Sequence, residues 1–266
     1  MRRSTRIELI GLALLLLASL ASLAAAAPDP NSAVVVSRIF NDCPGSTLTI
    51  TNDYPTCITI EDRNAGCIGF ANLHAWRFSD NGADPLVFHN GDSFRFAADL
   101  SLNGTGDAEA GLQIAPWWGQ ADGRFNVRTT DGEIACFGGR LPFYSFTASH
   151  GLHYTKGTPI HLEIVYRAHG LSEQDPGTIE YKVTYDNVQY SSGVKSFDMG
   201  NPNEDPPYGL WGILNEARVG GHFQFFVGAS GASGQVEAQW CSFEYESLTV
   251  GVQSQTWSTL KNLYRD

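Results

Sequence analysis

The sequence has little positive charge, no close metal-ligand spacing and almost no helical period. Lysine and arginine total 17 against 28 aspartates and glutamates, for a formal charge of −11. The basic residues are scattered, which argues against nucleic acid and anionic membrane as partners. No C-x-x-C pair occurs and no histidine stands at ligand spacing from a cysteine, so the sequence gives little support to a cysteine-based zinc site. His150 and His153 sit three apart in one loop, a spacing more typical of solvated side chains than of a metal site. The calcium-loop pattern D-x-[DN]-x-[DN]-G is missing, as is the G-x-S-x-G nucleophile elbow. No cofactor is therefore expected.

Long apolar runs are also scarce, and the one present is at the start. Arg2, Arg3 and Arg6 precede an apolar stretch from Leu9 to Leu23, and Ala24 to Ala27 follow it. Charge, apolar run and small residues in that order describe a secretory signal peptide, with cleavage expected near Ala26. The run is short for a membrane span of ~20 residues. Removal leaves about 240 residues, enough for one large β domain with its own core. Export makes disulfides expected among Cys43, Cys57, Cys67, Cys136 and Cys241, and the odd count leaves at least one unpaired. Five choices of the unpaired residue and three pairings of the rest give fifteen arrangements of two bridges, which the sequence does not separate.

What the chain does have is strands. "LTIT" at Leu48, "CITIED" at Cys57, "SFRFAADL" at Ser93, "GLQIA" at Gly111 and "RFNVRT" at Arg124 alternate apolar and polar residues. "PIHLEIVY" at Pro159, "TIEYKVTY" at Thr178, "HFQFFVG" at His222 and "SFEYESLTV" at Ser242 do the same. Turn pairs Asn81-Gly82, Asn90-Gly91, Asn103-Gly104, Asp122-Gly123 and Asp131-Gly132 fall among them. Many short strands between frequent turns predict an all-β fold, a two-sheet antiparallel sandwich. The prolines of "GNPNEDPPY" make Gly200 to Tyr208 a crossing loop. Residues 27–69 are expected to lead into a sandwich over 70–250. After a linker, "TWSTLKNLYRD" would form a short helix capped by Thr256 or Ser258, with Trp257, Leu260, Leu263 and Tyr264 on one face.

The succession "PIHLEIVYRAHGLSEQDPGTIEYKVTYDNVQY", "ARVGGHFQFFVG", "VEAQWCSFEYESLTV" resembles the later half of the concanavalin A-like lectin and glucanase superfamily. The resemblance covers most of Phe70 to Val250 and is one of strand pattern. It implies a jelly roll with a curved sheet whose concave face commonly holds glycans. Calcium is common in that superfamily, and its members include lectins, binding modules, glycosidases and lyases, so the fold does not choose among them. Gln113-Ile114-Ala115 is similar to the Q-I-H element of alginate-lyase-like jelly rolls but lacks its histidine. The R-x-E-x-R and Y-x-K-x-G-x-Y strands of those enzymes are absent as well.

Parity sorts each strand into two faces. Phe94, Phe96, Ala98 and Leu100 oppose Arg95 and Asp99, while Phe125 and Val127 oppose Arg124, Asn126 and Arg128. Leu112 and Ile114 share a side with Trp118, opposite Glu109, Gln113 and Trp117; Phe223, Phe225 and Val227 oppose His222 and Gln224. If these strands are neighbours, one wet face gathers Arg95, Asp99, Glu109, Gln113, Trp117, Arg124, Asn126, Arg128, His222 and Gln224. Amide, guanidinium and carboxylate groups beside an indole suit sugar hydroxyls and the C–H faces of sugar rings. The expected function is glycan binding. The alternative is glycoside hydrolysis, in which Glu109 would need a second carboxylate from Glu216 or Asp99.

Overall fold

The computed structural model describes residues 27–64, 67, 70–115, 123–138, 141–197, 211–226 and 234–248. The leader, Trp117, Trp118, the Gly200–Tyr208 loop and the C-terminal segment lie outside the described residues. In chain order the strands are β1 (Ser32–Phe40), β2 (Thr47–Asp53), β3 (Cys57–Asn64), β4 (Phe70–Ser79) and β5 (Phe94–Gly104). There follow β6 (Asp107–Ala115), β7 (Arg124–Arg128), β8 (Ile134–Phe137), β9 (Tyr144–Ser145) and β10 (Ile160–Arg167). The last are β11 (Thr178–Tyr185), β12 (Val188–Ser191), β13 (Lys195–Ser196), β14 (Arg218–Phe226) and β15 (Gly234–Ser247). Among the described residues one short helix, α1 (Phe146–His150), interrupts them; its first turn is capped by the Ser145 hydroxyl, which accepts from Ala148 N.

The strands form two antiparallel sheets. One has seven strands in the order β1-β4-β14-β6-β7-β8-β9. The other has eight, in the order β12-β11-β10-β5-β15-β3-β2 with β13 attached to β11. Every strand read from the sequence is present. β1, β2 and β3, set apart above as a lead-in, are full members of the sheets. Strand alternation explains the layering: each strand buries one set of side chains between the sheets. Phe94, Phe96, Ala98 and Leu100 from β5 meet Trp76 and Phe78 from β4 and Trp240 from β15 in that interior. The Trp76 and Trp240 rings meet edge-on at 6.2 Å between centroids, a geometry that adds about 0.5–1.5 kcal/mol beyond the area buried.

Two disulfides join Cys43 to Cys67 and Cys57 to Cys241, leaving Cys136 as the free, buried thiol. The Cys57–Cys241 bridge links directly paired positions of β3 and β15. Among the described residues no helix is long and apolar enough to cross a membrane.

Candidate functional site

The two outer faces of the sandwich differ. β11 alternates between buried and half-buried positions, with Glu180, Lys182 and Thr184 turned outward, as expected of a face meeting water. In the seven-stranded sheet, β6 and β14 are buried on both faces through their middles, and β7 is buried on both faces up to Arg128. Their inward residues are apolar: Ala110, Leu112, Phe125, Val127, Val219 and Phe223. Their outward residues are Glu109, Gln113, Arg124, Asn126, His222 and Gln224, all buried as well.

The register sets these side chains in rungs across the strands. The first rung reads Arg77, Gly220, Gln113, Arg124, Phe137 from β4 to β8. A second reads Ala75, His222, Gly111, Asn126, Ala135, and a third reads Leu73, Gln224, Glu109, Arg128. Gly111 and Gly220 are required where they stand. A Cβ on Gly111 would strike the carbonyl oxygen of Phe125, and one on Gly220 the carbonyl oxygen of Trp76. With no side chain on Gly111, His222 and Asn126 meet across β6.

Their hydrogen bonds form a continuous chain. Arg124 Nη1 donates to Glu109 Oε1 and, at 3.5 Å, to Gln224 Oε1. Asn126 Nδ2 donates to Glu109 Oε2 at 3.0 Å, so its Oδ1 is turned to His222 Nε2, also at 3.0 Å. That orientation of the amide places the histidine proton on Nε2. Burial, and then the nearby Arg124 cation, hold the His222 imidazole well below its ordinary pKa, so the ring is neutral. On the next strand Arg77 is 5% exposed, and burial together with Arg218 pushes its pKa down to about 10, still cationic at neutral pH. Arg128 stands at the rim, bonded to Asp131 and Glu133.

Seven of the expected residues therefore share one face: Glu109, Gln113, Arg124, Asn126, Arg128, His222 and Gln224. Arg95 and Asp99 do not. They lie on β5, in the other sheet, where Arg95 bonds Glu163 and Glu244 and Asp99 bonds His161 Nδ1 at 2.8 Å. Parity assigned them an outward face correctly, but the outward face of the opposite layer. Glu216 is also misplaced. It precedes β14, whereas Gln224, the partner of Glu109, is near the strand's far end. The seven residue steps from Ala217 to Gln224 span ~23 Å in an extended strand. Two-carboxylate hydrolysis needs ~5–9.5 Å between acids. Neither Asp99 nor Glu216 can pair with Glu109 in that role. Trp117 falls outside the described residues.

The sequence reading missed Arg77 and Phe137. Their signals were present: Trp76 and Phe78 flank Arg77 in alternation, and "IACF" follows the Asp131-Gly132 turn. β4 escaped notice because His74 and Asn72 face inward, where polar residues are unexpected. His74 Nε2 there contacts Asp62 Oδ2 at 3.1 Å, and Asn72 Nδ2 donates to the same oxygen.

The sequence matches no protein-family model and no curated protein. Solved structures of similar fold exist. A family 7 alginate lyase crystallised with substrate matches with a TM-score of 0.44 and 10% identity, over 74% of this chain and 81% of that one. The alginate lyase from a Corynebacterium species gives 0.39 and 11%, over 74% and 83%. A Lotus tetragonolobus seed lectin gives 0.39 and 10%, over 84% and 96%. Likenesses this distant carry no functional weight, and the architecture above rests on the chain's own pairings.

Proposed function

We propose that the protein is an exported carbohydrate-binding jelly roll that holds its glycan on the outer face of the seven-stranded sheet. The observation that carries this reading is the buried polar chain of Arg124, Glu109, Asn126 and His222 on a face turned away from the core. Buried polar groups have to satisfy one another, and here the set that does so lies on an outward face rather than in the core, where a ligand's hydroxyl groups could join it. Here amide, guanidinium and carboxylate groups are fixed against one another before a ligand arrives, which lowers the ordering cost of binding. Gln113 and Gln224 extend the set on either side, offering both donors and acceptors to hydroxyl groups. Trp117, which lies outside the described residues, keeps in this proposal the stacking role that parity assigns it. Export is supported by the charged, apolar and small-residue order of the leader and by the two disulfides. No cofactor is part of the proposal.

Affinity electrophoresis of the mature protein through gels containing β-glucans, xylan or alginate tests it. Retardation in at least one gel, lost in Glu109→Gln, is the expected result. Free migration in every gel overturns the proposal. Release of new reducing ends from a retarding polymer would reopen hydrolysis with a second acid other than Asp99 or Glu216.

A further inference from the structure

Phe137 closes the rung that begins at Arg77, and it is paired directly with Arg124. Its strand neighbours Ile134 and Cys136 point into the core, so Phe137 points outward with Ala135. It differs from several other half-buried aromatic residues. Tyr54, Tyr144, Tyr190, Phe243 and Tyr245 all pack against the core cluster, and Phe137 does not. Among the described residues no ring stacks on it and no cation sits over it. A benzyl ring left partly in water, away from the core and beside a buried guanidinium, is an apolar wall next to placed polar groups, the composition of a ligand pocket.

We infer that Phe137 is a platform on which one pyranose unit of an oligosaccharide stacks, while Arg124 and Gln113 bond the hydroxyls of that unit and the next. This rests on the glycan-binding reading of the same face. The ring faces of a pyranose are rich in C–H groups, and covering Phe137 with one removes apolar surface of both partners from water. The rung also sets the ligand's size. From Arg77 to Phe137 it crosses four strand spacings, ~19 Å, more than a single sugar occupies. The ligand is therefore a stretch of polymer or an oligosaccharide, and a lone monosaccharide reaches only part of the rung.

Calorimetric titration with cellohexaose, laminarihexaose, xylohexaose and an oligomannuronate hexamer, and with the corresponding monosaccharides, tests this. The proteins compared are the native chain, Phe137→Ala, Phe137→Tyr and Glu109→Gln. For the hexamer that the native chain binds, Phe137→Ala should weaken affinity about tenfold or more, and Phe137→Tyr should stay within about threefold. The monosaccharide should bind at least about tenfold more weakly than its hexamer. If Phe137→Ala binds as the native chain does while Glu109→Gln fails, the platform is wrong and the glycan site stands. If the native chain binds no hexamer, the site and the platform fall together. A clear drop in the melting temperature of Phe137→Ala would place the ring in the core and also overturn the inference.

Discussion

Breaking the Glu109–Arg124 pair is the most informative perturbation of the site. The two side chains are 8% and 11% exposed, so neither ion is well hydrated without the other. Glu109→Ala removes the carboxylate shared by the Arg124 cation and the Asn126 Nδ2 donor. Removing one partner of a buried pair costs about 3–5 kcal/mol, most of it the penalty of stranding the other charge. Arg124→Ala should cost a similar amount, because Glu109 is then held only by Asn126. The double variant strands no charge, so its loss should be well below the sum of the two. For a domain of this length each kcal/mol lowers the melting temperature by about 2–4 °C, which predicts drops of about 6–20 °C for the single variants. Urea unfolding of all four proteins gives the coupling energy, expected at about 2 kcal/mol or more. Single variants within about 0.5 kcal/mol of the native chain would refute the reasoning, since the pair would then behave as a solvated surface bridge. The apolar pair Glu109→Leu with Arg124→Met sharpens the point. It should fold at near-native stability, as such replacements often do, yet bind no glycan.

Three further outcomes follow from the same structure. His222 has a folded-state pKa depressed by burial, so its contribution to stability is present above the unfolded value of about 6.5 and is lost as pH falls below it. Melting temperatures measured between pH 7.5 and 5 should fall in the native chain and fall less in His222→Gln; equal slopes would contradict the burial. The Cys57–Cys241 bridge spans 184 residues and Cys43–Cys67 spans 24, so chain-entropy arithmetic gives about 5 and about 3.5 kcal/mol for their removal. Denaturant unfolding of the paired serine variants should show the first as the larger loss. Burial also pushes the Cys136 thiol well above its usual pKa, so a thiol reagent should find no reactive group in the native protein and one after denaturation without reductant.

The architecture was legible because it depends on short-range pattern. Phe94 with Phe96, Phe125 with Val127 and Phe223 with Phe225 each announce a strand and its buried face. The disposition of the faces was only half legible. Parity shows that Asp99 points away from the core, but which layer carries β5 depends on its pairing with β10 and β15, whose partner residues are about 60 to 150 positions away. Glu216 misled for the same reason, since nearness to β14 in sequence says nothing of which end of the strand matters. β4 was hidden because Asn72 and His74 fill inward positions with polar groups satisfied by Asp62, Ser46 and Cys43. The glycine gap at Gly111 was equally invisible, because it has meaning only once β14 and β7 lie on either side.

The strand order of the eight-stranded sheet also bears on how the chain is made. β15, the last described strand, lies between β5 and β3 and pairs with both along most of its length. A ribosome releases β3 and β5 long before β15, so the gap between them stays open until residue 247 has emerged. Half of the sandwich cannot close during synthesis, and pairings at such sequence distance are slow to form afterwards. Completion of the eight-stranded sheet is therefore a late event. That delay would suit the export proposed above, since a chain threaded through a narrow translocation channel has to stay extended until it reaches the other side.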